Sequence, residues 1–340
     1  MSALTELLND PERMEKHDVD AEQIEFMIVL DDTVKAWVAT DGQDTDLQDK
    51  ILKSLNAWHY QNMPYAIKNY PFVTSHKLKM LQRNPYIADQ IYNKLVPSCK
   101  PDDKDYFLVG LAVDVTCTYG EKEYLNKFTV KNRPDAAFKA EAKGKGQIIL
   151  SESLGAQVEE CVKEFRSRKF FPDNLIKTNF VTVSHGLPLK VELDDWRPNE
   201  NRFGDLKTNR NVNSFISDAG WQNYLLQMGF YNYVILRIAD QTMSDVAYED
   251  FKRGLSGHLY VVDKYSDFSR SHCFIFRQHI LNEKFGEIDS LLQKWRKAID
   301  SGIWEWTFDL ENVGDLKMFN DCELYPLLWE FKDMIQPTYI

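Results

Sequence analysis

Apolar residues recur through the first hundred positions at three- and four-residue steps, the spacing of one helix face. Leu47, Ile51, Leu55 and Trp58 form such a stripe. Asn84-Pro85 reads as an N-cap followed by proline at the first helical position, with Ile87, Ile91 and Leu95 beneath it. Segment 26–40 fits two elements. Its β-branched Val29, Thr33, Val34 and Val38 around Asp31-Asp32 suit a hairpin, and a helix beginning at Asp20 suits the same residues. A polar connector at 98–105 ends this region.

The pattern then changes. Runs at 106–118, 124–130, 147–150, 176–183 and 187–193 predict strands separated by Gly, Asn and Pro. One helix is predicted near 152–166, with Leu154, Val158, Cys161, Val162 and Phe165 on its inner stripe. Residues 194–212 are the longest polar stretch and read as a linker or functional loop. After them a helix at 213–228, a strand at 233–239, a helix at 244–254 and a strand at 258–262 are expected. A helical region at 270–299 follows, striped by Phe285, Ile288, Leu292, Trp295 and Ile299, then a strand at 303–308 and a helix from 326. The fold class is α+β: a helical region at 1–100, a β-rich region at 105–194, a polar linker at 195–212, and a mixed α/β region at 213–340 with a small sheet covered by helices.

At 340 residues the chain is long enough for two or three subdomains with cores of their own. With 15 Gly against 20 Phe, 16 Tyr and 8 Trp, the composition leans toward packed aromatic surface and away from glycine-rich phosphate loops. Cys99, Cys117, Cys161, Cys273 and Cys322 are scattered and show no C-x-x-C spacing, which fits reduced thiols in a cytoplasmic or nuclear protein. No export signal or transmembrane segment is read, so no membrane partner is expected.

Charge is uneven. Residues 1–50 hold 14 of the acidic and 4 of the basic residues, whereas 122–169 hold 11 basic and 7 acidic ones. This suggests an acidic N-terminal arm that docks on the basic stretch of its own or a neighbouring chain. Leu4, Leu7 and Leu8 of a short helix would anchor it, and Lys139, Lys145, Lys163, Arg166, Arg168 and Lys169 would receive it.

Most chemical motifs fail on spacing. Asp31-Asp32-Thr33 resembles the haloacid-dehalogenase phosphatases, but that family needs Asp-x-Asp, whose carboxylates share a face. Gly254-Leu255-Ser256-Gly257-His258 departs from G-x-S-x-G at His258, and a helix precedes it where a strand is needed. Lys143-Gly144-Lys145-Gly146 is followed by a predicted strand, which suits a hairpin turn better than a phosphate loop. His272 and His279 sit two helical turns apart, roughly 10.5 Å, too far for one metal ion. Pro134-Asp135 followed by Glu141-Ala142-Lys143 resembles the P-D-x(n)-[D/E]-x-K signature of metal-dependent nucleases. That resemblance implies two carboxylates on Mg²⁺ and a lysine beside the attacking water.

The reading favoured by these observations is a noncatalytic, self-associating structural or assembly protein, cellular or viral, working as a homo-oligomer or with a protein partner and without a cofactor. The alternative is a Mg²⁺-dependent nucleic-acid enzyme or binder that uses the basic region 122–169, with Asp135, Glu141 and Lys143 at its centre.

Overall fold

The computed structural model describes residues 2–57, 60, 63, 65–95, 105–209, 220–263 and 271–304. The chain forms an α+β fold of two compact units, and each unit draws on separated stretches of sequence. The connector at 98–104, the later part of the polar stretch, the start of the helix expected at 213, nearly all of the strand expected at 303 and the helix expected from 326 lie outside the described residues.

The first unit comprises residues 1–102, 179–191 and 285–340. Its helices are α1 (Ala3–Leu8), α2 (Pro11–His17), α3 (Ala21–Ala39), α4 (Thr45–Leu55), α5 (Tyr65–Lys68), α6 (Ser75–Arg83) and α7 (Pro85–Tyr92), joined by a later helix, Phe285–Ser301. Segment 26–40 resolves as helix. Asp20 caps α3 in a capping box with Gln23, and a helix begun this firmly runs through the β-branched positions. Asn84 caps α7 with Pro85 behind it, as its sequence predicts. Residues 1–50 are therefore packed helices and not a free arm. Leu4 and Leu7 are fully buried in a core with Ile24, Met27, Leu30, Val34, Trp37 and Ile51, and Leu8 packs against it. The three leucines expected to anchor a neighbouring chain are thus engaged within their own unit.

The second unit comprises residues 103–178 and 192–284. It contains α8 (Asp105–Tyr119), α9 (Glu121–Lys127), β1 (Phe128–Val130), α10 (Ala136–Gly144), β2 (Ile148–Leu150) and α11 (Glu152–Ser167). A hairpin follows in the chain, β3 (Thr178–Ser184) and β4 (Leu187–Leu193), turning at His185-Gly186 with φ of 53° and 65°. Then come β5 (Asp195–Arg197), β6 (Arg202–Asn209), α12 (Gly220–Thr242), α13 (Asp245–Gly254), β7 (Ser256–Asp263), β8 (His272–Phe276) and α14 (Gln278–Asn282). Phe285–Ser301 of the first unit is α15.

Strands β5 to β8 form one sheet in that order, with β6 and β7 parallel and the outer pairs antiparallel. Parallel neighbours need a crossover, and α12–α13 supply it. One face of the sheet buries Leu206, Tyr260 and Val262 against Val109, Val113, Val158, Cys161, Phe165 and Phe171 from α8, α11 and the loop after α11. Phe203 on the other face meets Tyr231 of α12 edge-on at 6.4 Å.

Two strand expectations and one helical one change here. Segment 106–118 is rich in Val and Thr but is the helix α8, because it is covered on more than one side and periodicity no longer marks a face. Segment 233–239 is the second half of the long α12. Segment 270–299 contains β8 and two helices. Ile299 is exposed, so the inner face of α15 is Ile288, Leu291, Leu292, Trp295 and Ala298.

Trp295 has its indole 5.8 Å from the buried Lys77 ammonium and edge-on to Trp304 at 5.2 Å. Trp295→Ala should lower unfolding free energy by about 3–5 kcal/mol in denaturant titrations, as large core truncations do. A loss below about 1 kcal/mol would mean that the indole does not fill this core.

Candidate active site

The chemistry is concentrated in the polar stretch read above as a linker. It folds as β5 and β6, and its charged residues are sorted by the two-residue period of a strand. On β6, Asp205 and Lys207 share one face, and Leu206 between them points into the core on the other. Asp194 immediately precedes β5. The antiparallel register pairs Asp195 with Gly204, so the next step brings Asp194 alongside Asp205. The amide of Leu206 donates to Asp194 Oδ2 at 2.8 Å and locks that placement.

The adjacent acids Asp194 and Asp195 take opposite roles. Asp195 is fully buried and saturated. It accepts from Arg197 Nε at 3.1 Å, Tyr260 OH at 3.1 Å and the Ile176 amide at 3.3 Å. It clamps β5 to the sheet. Asp194 keeps 18% of its side chain exposed and has Lys177 Nζ at 3.9 Å. Lys177 in turn bonds Asp114 Oδ2 of α8 at 2.7 Å.

Asp205 is held from α12. Gln227 Nε2 donates to its Oδ1 at 2.8 Å, and Tyr231 OH, one helical turn on, donates to the same atom at 3.3 Å. Oδ2 of Asp205 is buried and is held in an ion pair by the Lys207 ammonium. Lys207 also lies 5.8 Å from the centre of the Tyr224 ring.

Electrostatics follow from this crowding. Burial, then the carboxylates of Asp205 and Asp114, push Asp194 up to about 7, against the opposing pull of Lys177 and Lys207. Burial alone would lower Lys207, but Asp205 and Asp194 outweigh it and raise it. Lys177 is raised in the same way by Asp114 and Asp194.

These residues suit a hard divalent cation. The donors are carboxylate oxygens, and burial with the neighbouring acids already raises the Asp194 pKa. Among the described residues no three His, Cys, Asp or Glu side chains gather as a closed cage. Mg²⁺ does not require one, since it is held by one or two carboxylates with waters and substrate oxygens. Asp194 and Asp205 would hold it.

The residues singled out from sequence lie elsewhere. Segment 136–144 is the helix α10 and not a hairpin. Asp135 is its N-cap, accepting from the Phe138 amide at 2.8 Å, and Glu141 pairs with Lys145 at 2.7 Å. Asp135, Glu141 and Lys143 are exposed, and no contact joins the three around a common centre. Lys139, Lys145, Lys163, Arg166, Arg168 and Lys169 are also exposed, with Lys163 near Glu160 and Arg168 paired with Glu164. A cleft of about 520 Å³ in the first unit is lined by Asp31, Lys35, Tyr70, Asp89 and Arg296. Its buried carboxylates are already engaged, Asp31 by Lys35 and Asp89 by Lys94 and Asn93.

A family model described as a PDDEXK-like domain of unknown function matches residues 77–304, about two thirds of the chain. The chain belongs to this family. Leu193-Asp194 followed by Asp205-Leu206-Lys207 resembles the P-D-x(n)-[D/E]-x-K signature, with Leu193 at the proline position. The match overturns the reading of the chain as a noncatalytic assembly or structural protein. Among solved structures, a "Putative exonuclease" from Eubacterium rectale matches with a TM-score of 0.53 and 13% identity, covering 78% of this chain and 91% of that one. At that identity the likeness concerns the fold. No curated protein matches. Among the described residues no helix is long and apolar enough to cross a membrane. The signal that marks the site in the sequence is Asp-x-Lys at 205–207 with an acid eleven positions upstream.

The raised Asp194 fixes a pH dependence. Its folded value lies above an ordinary unfolded value of about 3.9, so the metal-free protein loses stability as pH rises from about 4 through about 7. A cation held by Asp194 and Asp205 would replace the proton and restore that stability above pH 7. Millimolar Mg²⁺ should therefore raise the thermal midpoint by a few degrees at pH 8 and by much less at pH 6. Asp194→Asn should abolish the increment. An increment independent of pH, or one retained in Asp194→Asn, would place the cation elsewhere.

Proposed function

We propose that this chain is a divalent-metal-dependent nuclease that hydrolyses phosphodiester bonds at the Asp194–Asp205–Lys207 centre. The observation that carries the reading is the convergence of Asp194, Asp205 and Lys207 at the neighbouring edges of β5 and β6. Membership of the PDDEXK-like family supports it, as does the fold shared with the Eubacterium rectale protein.

A cation held by Asp194 and Asp205 supplies Lewis-acid neutralisation of the phosphate. The protein's own groups do the rest. Gln227 and Tyr231 fix Asp205 through Oδ1 and leave Oδ2 directed to the centre. Lys207 is kept cationic by its acidic neighbours, so near neutral pH it acts as a hydrogen-bond donor and not as a base. It orients the attacking water and stabilises negative charge developing on the phosphate. The bond broken is phosphorus to the bridging ester oxygen, which leaves with a proton, and the water oxygen takes its place on phosphorus.

The test is cleavage of labelled DNA and RNA oligonucleotides with Mg²⁺ or Mn²⁺. Asp194→Asn, Asp205→Asn and Lys207→Ala should each lower kcat by about a thousandfold or more, on the order of 4 kcal/mol of lost transition-state stabilisation. Asp135→Ala, Glu141→Ala and Lys143→Ala should cut at the wild-type rate. A wild-type protein that cuts neither polymer with either metal, while remaining folded, would refute the reading.

A further inference from the structure

Resting on the nuclease reading of the site, we propose that Tyr119 and Lys177 form a nucleotide subsite beside the carboxylate pair, where Tyr119 stacks on an unpaired base and Lys177 holds a phosphate of the same strand. The substrate strand would thus enter as single-stranded nucleic acid, or as a duplex end opened into single strands.

The arrangement starts at the end of α8. Tyr119 is its last residue and is 55% exposed, while Phe128, Phe165, Phe203 and Tyr260 of the same unit are at most 2% exposed. The core therefore does not need the Tyr119 ring. That ring has Lys177 Nζ at 6.0 Å from its centre, and Lys177 Nζ is 3.9 Å from Asp194. An aromatic face, an ammonium group and a catalytic carboxylate thus follow one another across a short span.

Lys177 meets the requirements of a phosphate contact. Asp114 takes one of its three N–H donors at 2.7 Å, and Asp194 at 3.9 Å lies beyond hydrogen-bond range. Without this ammonium the acids Asp114, Asp194 and Asp205 would repel an incoming strand. With it, positive charge stands where the strand must pass.

The ring selects for unpaired bases. Within a duplex both faces of a base are covered by its neighbours, so a side chain stacks only where a base is free. Stacking uses the π-face common to all bases, so no strong sequence preference is expected.

The experiment compares cleavage of a single-stranded DNA oligonucleotide, an RNA of the same sequence, and a blunt duplex clamped by G·C pairs, all with Mg²⁺. The wild type should cut at least one single strand faster than the clamped duplex. Tyr119→Ala should lose about 10- to 100-fold in kcat/KM on that single strand with an unchanged thermal midpoint. Tyr119→Phe and Tyr119→Trp should retain activity, which a role through the hydroxyl would not allow. Lys177→Met should lower the salt slope of log K by about 1 in anisotropy titrations of fluorescein-labelled single-stranded DNA with Ca²⁺ replacing Mg²⁺. If the wild type cuts but Tyr119→Ala matches it, or if clamped duplex and single strands are cut equally, the subsite is overturned and the nuclease reading survives. If the wild type cuts nothing, the nuclease reading itself falls.

Discussion

The second unit is organised around one unfavourable contact, the approach of Asp194 and Asp205 on neighbouring strands. Burial, and then repulsion from Asp205 and Asp114, push the Asp194 carboxyl up. The surroundings contain that repulsion without removing it. Lys207 and Lys177 supply opposite charge, the Leu206 amide holds Asp194, and Gln227 and Tyr231 hold Asp205. A divalent cation relieves what remains. Under the proposed function, the same crowding that weakens the metal-free protein above pH 7 would favour a bound cation.

Holding two acids this close demands a sheet that cannot slip. A shift of one residue would exchange Asp205 and Lys207 for Gly204 and Leu206 on the functional face. Asp195 resists that shift through bonds to Arg197, to Tyr260 of β7 and to the amide of Ile176. Gly204 contributes by absence. A Cβ there would come within 2.5 Å of the Tyr260 ring, so glycine permits Tyr260 to lie across β6 and reach Asp195. One acid of the adjacent pair secures the frame, and the other is the one placed beside Asp205.

The legible parts of the fold were those with local signals. The cap at Asn84-Pro85, the stripe of α11 and the strands near 178–193 all follow from residues a few positions apart. Where an element is covered on several sides, as in α8, β-branched content outweighed length and suggested a strand. The site is not legible from polarity, because a charged strand and a solvated loop share the same composition. Residues 194–209 are polar because they pair charge with charge inside a sheet: Arg197 and Arg202 face Asp195, and Lys207 faces Asp205. The same two-carboxylate-and-lysine pattern was sought beside Pro134, where the proline matched and the fold did not. At Asp194 the proline is absent and the register of β5 with β6 supplies the convergence. No one-dimensional spacing encodes that register.

Convergence of Asp194 and Asp205 on one ion is tested most directly by anomalous diffraction from crystals of the full chain soaked in Mn²⁺. One peak should appear in contact with carboxylate oxygens of both Asp194 and Asp205, and it should vanish in Asp205→Asn crystals soaked alike. An ordered peak that touches neither aspartate, or an empty map there at saturating Mn²⁺ with both side chains ordered, would contradict it.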